Sequence, residues 1–362
     1  MMYVCRALLL LIAVTSCATQ PENHSIELPQ FDVSGLSQSE KMQLLSESYK
    51  FELEEVFQKI RPKLTSNEKL VLDQIKVQYS SEEHPFVFFA DASDRKEVHL
   101  TAGGLTSLNL TANAVTIEEY FFKEDGWWFD FLLAVRAHVK QNNPYGMANW
   151  ADPEKAMGCD IQPESMREYV GDAYVKRMNM LAFVVAHELG HVIMGHVATK
   201  KERESEQDYV DKLNRFEHEA DTWAYMKLAS MRVNPFDVVR AMYANLVIFG
   251  NENDIRSTKQ YGNPFSRIRR VSEVYREVFP EHDYTNFDSY VDTLIEKISP
   301  SNDSDSVYLR IDELSREASF SDLYYSRRDN GLKDLFRKLC VTEPIVPQWI
   351  RDLTDQFYGP LK

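Results

Sequence analysis

Residues 180–191 read Met180-Leu181-Ala182-Phe183-Val184-Val185-Ala186-His187-Glu188-Leu189-Gly190-His191, and the rest of the chain has to be built around them. The seven apolar residues before His187, with Val192, Ile193 and Met194 after His191, describe a helix buried nearly all round. A spacing of four sets His187 and His191 on one face, one turn apart, so both imidazoles can reach a single ion. Glu188 lies about 100° further round the helix, at the edge of that site, where it can take a proton from a water at the metal. Two histidines and a glutamate are costly on an apolar helix unless a metal or a full set of hydrogen bonds holds them. One buried histidine is ordinary core; three polar groups at ligand spacing point to a hydrolytic zinc centre, with one ion per chain.

Two histidines leave a catalytic zinc one protein ligand short. A longer His-x-x-Gly-x-x-His arrangement needs glycine at 194 and histidine at 197; the chain has Met194 and Val197, which excludes it. His196, five residues past His191, falls off the ligand face and is expected to support the site from behind or to serve the fold. The better source is Arg215-Phe216-Glu217-His218-Glu219-Ala220-Asp221. On a helix over about 205–231, Glu217 and Asp221 share a face bordering the apolar stripe of Leu213, Phe216, Ala220 and Ala224. One of the two can bind the ion while the other steadies a ligating histidine. Glu219 points about 160° away, toward solvent; His218 is a zinc donor in type and one residue off.

The pair His187-to-His196 (His-Glu-Leu-Gly-His-Val-Ile-Met-Gly-His) and Glu217-x-x-Ala220-Asp221 resembles the CAAX-prenyl-protease and HtpX-like zinc metallopeptidases. The likeness covers about 180–231, with a weaker trace near 98–105. It implies endopeptidase activity, Glu217 as third zinc ligand, Asp221 beside it, and a strand next to the active-site helix that pairs with extended substrate. It also implies a downstream His-Pro and Arg-Ile pair. Here the chain reads Ser257-Thr258 and then Asn263-Pro264-Phe265-Ser266-Arg267-Ile268, without the histidine, so Arg267, Arg269 and Tyr261 are the candidates for stabilising the oxyanion.

Composition sets the frame. With 362 residues and 44% hydrophobic content the chain can bury a large core, and a formal charge of −15 argues against a nucleic-acid partner. The first residues carry one arginine, then the apolar run Ala7 to Val14, too short to span a bilayer. Val14-Thr15-Ser16-Cys17 resembles a bacterial lipobox, so residues 1–16 are expected to be a signal peptide and Cys17 an acylated N-terminus. Ala18 fits sorting to the outer membrane, on the periplasmic side of the cell envelope. Cys159 and Cys340 would remain, an even pair that an oxidising compartment would bridge. Asn109-Leu110-Thr111 fits a glycosylation sequon and is taken as incidental.

Along the chain, residues 17–36 read as a polar tether, 37–282 as the metallopeptidase domain and 283–362 as a C-terminal helical extension. Helical spacing marks 37–60, and a second helix opens at Ser66 and carries Leu70, Leu72, Ile75 and Val77. Pro85 to Ala90 and Glu97 to Leu100 read as strands, the second ending at Ala102-Gly103-Gly104. Gly126-Trp127-Trp128-Phe129 opens a helix to Val139; 144–165 is a loop; the central helix runs from about Gly171 to Val197; Asn234-Pro235 caps a helix ending at Gly250. The expected fold is mainly α, of the α+β class: a helical, zincin-like metallopeptidase domain with a small sheet beside its active-site helix. Its expected role is a lipid-anchored zinc endopeptidase acting on unfolded or extended envelope proteins, with oligomeric state open. The alternatives are a non-catalytic lipoprotein that keeps zinc for stability and serves as a binding or chaperone-like factor, and a zinc hydrolase of a non-peptide bond.

Overall fold

A computed structural model describes residues 50–80, 89–122, 126–141, 163–197, 205–249, 264–299 and 307–317. It is mostly helical with one three-stranded sheet. In chain order the helices are α1 (described over 50–60), α2 (Ser66–Leu72), α3 (Ala102–Ile117), α4 (Trp127–Gln141), α5 (Pro163–Met194) and α6 (Glu206–Ser230). There follow α7 (Pro235–Phe249), α8 (Pro264–Val278), α9 (Thr285–Ile298) and α10 (Val307–Glu317). Among the described residues no helix is long and apolar enough to cross a membrane.

Helix α5 is the axis of the molecule, flanked by α6, α3 and α7 and touched by the sheet. It begins at Pro163, so 163–165 belong to the helix and not to the expected loop, whose remaining residues lie outside the described ones. Proline suits a first helical turn because its missing N–H has no partner to lose there. Gly171 is a poor start signal: it sits within α5 with open space around its Cα, a cost of about 1 kcal/mol that burial of the surrounding apolar residues outweighs.

The sheet has the order β1–β3–β2, with β1 at Lys76–Ser80, β2 at Phe89–Asp91 and β3 at Glu97–Thr101. β1 runs parallel to β3 (Val77 opposite Val98) and β2 antiparallel to it (Ala90 opposite Val98). β1 corrects the expected second helix, which stops at Leu72. A Thr65–Glu68 capping box fixes that helix's start, and Val77 and Tyr79 then alternate with polar neighbours, the period of a strand. Val98 and Leu100 turn into the core, and β2 lies against α5.

Helix α3 is hard to read as one, because Ala102-Gly103-Gly104 looks like a turn and its Thr, Ser and Asn residues are scattered around a helix buried nearly all round, leaving no 3.6-residue rhythm. Thr101 caps it, its Oγ1 accepting from Gly104 N at 3.1 Å. The sequon lies in this helix: the Thr111 hydroxyl is buried and donates to Ser107 O at 2.7 Å, which suits a packing role.

Trp127, Trp128, Phe131 and Tyr243 fill the core between α4 and α7, Trp127 stacking on Phe131 at 5.4 Å. Behind them Arg136, 1% exposed, donates from Nε to Asp312 Oδ1 at 2.9 Å and from Nη1 to Val247 O at 2.9 Å, tying α10 to α4 and α7. Replacing one partner strands a buried charge, so Asp312→Ala is expected to lose about 3–5 kcal/mol of folding stability in urea titration. A loss under about 1 kcal/mol would show that this tie is dispensable. Cys17, Cys159, Cys340 and Tyr261 lie outside the described residues.

Candidate metal centre

The centre forms where α5 and α6 cross. Gly190 faces Ala220 so closely that a Cβ on residue 190 would lie 3.2 Å from both the Cα and the carbonyl oxygen of Ala220. A bare Cα on one helix and a small residue on the other bring the backbones together. Glu217 and Asp221, one turn apart on α6 and flanking Ala220, therefore reach the histidine face of α5.

Three donor atoms converge there. His187 Nε2 and His191 Nε2 are 3.2 Å apart, Glu217 Oε2 is 3.4 Å from the first, and Glu217 Oε1 is 3.5 Å from the second. A tetrahedral zinc with arms of about 2.0–2.1 Å sets its ligand atoms about 3.3–3.4 Å apart, so the cluster has the size of one such ion. Among the described residues it is the group of three that could hold a metal. Two imidazoles and one carboxylate form a donor set that zinc accepts.

Behind the donors, His187 Nδ1 lies 2.9 Å from Asp221 Oδ1, which directs the ring's other nitrogen toward the cluster. Asp221 is 1% exposed and accepts from Arg267 Nε at 2.6 Å and Nη2 at 3.0 Å. The same guanidinium approaches Glu217 Oε2 at 3.1 Å, so a cation from α8 offsets both acids of α6. Arg267 is thus committed to two carboxylates; Arg269 pairs with Asp292 on the surface at 3.1 Å. His218 is exposed.

Two residues do more than their sequence positions suggest. His196 Nδ1 lies 3.1 Å from His191 Nδ1, and His196 Nε2 lies 3.0 Å from Glu219 Oε2. A continuous helix would carry His196 off the ligand face, but α5 stops at Met194, and Gly195 at φ +70° turns the chain back so that His196 N donates to His191 O at 2.9 Å; Glu219, expected to face solvent, is half-exposed and reaches His196 from α6. The signal was a glycine directly after the last apolar turn, the usual helix stop.

Ionisation follows from this crowding. Burial disfavours a charged His187, yet hydrogen bonds and charge from Asp221 and Glu217 overcome it and raise its pKa to about 10. Burial and the charge of His187 hold His191 down at about 3. Burial would raise Glu217, but Arg267 and His187 keep it at about 2, and the same partners depress Asp221 further. Glu188, 7% exposed, is raised by burial to about 7. Among these ligands, then, only His187 holds a proton at pH 8, and a metal must displace it. Zinc binding is expected to release about one proton per ion at pH 8 and more below pH 7, where Glu188 is protonated and a nearby dication would displace its proton too, so affinity climbs as pH rises. Calorimetry in buffers of different ionisation enthalpy counts that proton; none released at pH 8 would refute the assignment.

Residues 131–285 match the family model Peptidase U49. The match runs from within α4 to the first residue of α9 and takes in every residue of the centre. It indicates a peptidase, and not specifically the CAAX-prenyl-protease and HtpX-like family that the motifs resemble. No curated protein and no solved structure matches the chain.

Proposed function

We propose that this chain is a zinc-dependent endopeptidase. The observation that carries the reading is the three-donor cluster with a buried carboxylic acid, Glu188, on the next residue of the same helix turn. Three protein ligands leave a fourth position free, as catalytic zinc sites do and structural ones do not. Bound there, zinc supplies a Lewis acid that polarises the scissile carbonyl and eases proton loss from water.

The chain's own residues do the rest. Glu188 takes the proton of the attacking water and passes it to the departing amine, and a pKa raised toward neutrality suits both halves of that task. Asp221 holds the His187 tautomer, and Arg267 lets two acids sit side by side in a buried place. Among the described residues β2 is an edge of the sheet and lies against α5, the helix that carries His187 and His191, so an extended polypeptide can pair with it. That supports unfolded or extended polypeptide as substrate; that these are envelope proteins is proposed from the Val14–Cys17 run alone.

The direct test is one preparation analysed for bound zinc and for cleavage of an unfolded protein, beside Glu188→Gln. Attachment to the envelope through acylated Cys17 is a separate part of the proposal and rests on the Val14–Cys17 run and the polar stretch behind it. Labelled fatty acid is expected to enter the parent and not Cys17→Ala; equal incorporation would remove the anchor.

A further inference from the structure

His187 and His191 are not held alike. His187 rests directly on the buried carboxylate of Asp221, which is itself tied to Arg267. His191 meets another imidazole, and the carboxylate stands one ring further back, on Glu219, whose side chain is 44% exposed. His196 is fixed independently of any metal. Its side chain is 3% exposed, its ring lies flat on Phe216 at 4.3 Å and 8°, and the turn at Gly195 binds its N–H to His191 O.

We infer that His196 and Glu219 are positioning residues that hold His191 in its ligating tautomer through a one-way chain of hydrogen bonds. Each hydrogen has one place in it. His191 Nε2 faces His187 and Glu217 and must keep its lone pair free to ligate, so its hydrogen sits on Nδ1. Nδ1–H then donates to His196 Nδ1, which must be bare; the hydrogen of His196 sits on Nε2 and donates to Glu219 Oε2. Without an acceptor at position 196, His191 is free to carry its hydrogen on Nε2, where it blocks the metal. The inference rests on the zinc reading proposed above and adds to it why a histidine five residues past the motif, and an acid two residues past Glu217, stand where they do.

The experiment uses the full chain and measures zinc affinity by competition with a chelator, together with the thermal midpoint of the zinc-stripped protein. His196→Phe keeps a flat ring on Phe216 and removes the acceptor; His196→Asn restores an amide oxygen near the position of Nδ1. The phenylalanine variant is expected to bind zinc about 10- to 100-fold more weakly, the usual cost of losing such a partner, and the asparagine variant to recover most of that loss. Glu219→Ala, at a half-exposed position that should not disturb folding, is expected to weaken zinc several-fold while Glu219→Gln stays near the parent. Equal zinc affinity in parent and His196→Phe, or equal losses in the phenylalanine and asparagine variants, would overturn the inference and leave the zinc centre standing. A parent that takes up no zinc, or His191→Ala binding as well as the parent, would overturn the zinc reading and this inference with it.

Discussion

Glu188→Gln is expected to retain zinc and fold while losing peptide hydrolysis by about 100-fold or more, the usual span of a general base. The amide has nearly the shape of the carboxyl group, and it relieves the site of an acid that burial already disfavours as an anion. Folding stability should therefore hold or improve. What disappears is the group that accepts a proton, and His191, the neighbour one turn on, cannot replace it because the proposed site commits one ring nitrogen to the ion and the other to His196. The measurement is kcat on an unfolded protein at matched zinc content. Turnover equal to the parent would end the mechanism, and cleavage by both forms that survives chelation would identify a contaminant.

Glu217→Ala is expected to lose most of the bound zinc, a larger effect on the metal than any other substitution on α6. It removes one of three donors, and the two histidines left behind form an incomplete site. It also takes from Arg267 one of the two acids it touches. The gap is then faced by a guanidinium with one acid fewer beside it, a poor place for a dication. His218→Ala should keep its zinc, since that ring is exposed and outside the cluster. Zinc content after dialysis decides: loss confined to the His218 variant would move the third ligand there.

The sequence carried the site better than the frame around it. The closeness of His187 and His191 was legible because four-residue spacing on an apolar helix fixes a face, and the structure brings both rings to Glu217 there. Glu217 and Asp221 were legible as a pair for the same reason, but which of them turns to the donors and which to a ring was left open by the spacing and depends on the depth of α6 against α5. The third ligand's assignment came from the resemblance, and the Peptidase U49 match supports a peptidase without naming the ligand. Helix α3 was hidden by being buried nearly all round with its polar residues scattered, and β1 by Val77 and Tyr79, which fit either a helix end or a strand. The relay through His196 was hidden by a different cause. Helical phase counts angles along one straight cylinder, and at Gly195 the cylinder ends.

The contact between Gly190 and Ala220 turns α5 and α6 into a pair of callipers. The donors sit on the jaws, His187 and His191 on one and Glu217 on the other, while the stop that limits closure is a place where one chain has no side chain. A methyl group at 190 would force the jaws apart by a few tenths of an ångström and lengthen only the edges that run from the histidines to Glu217, leaving the spacing between the histidines as it is. Which radius of ion the three donors accept is therefore written at a position that binds nothing.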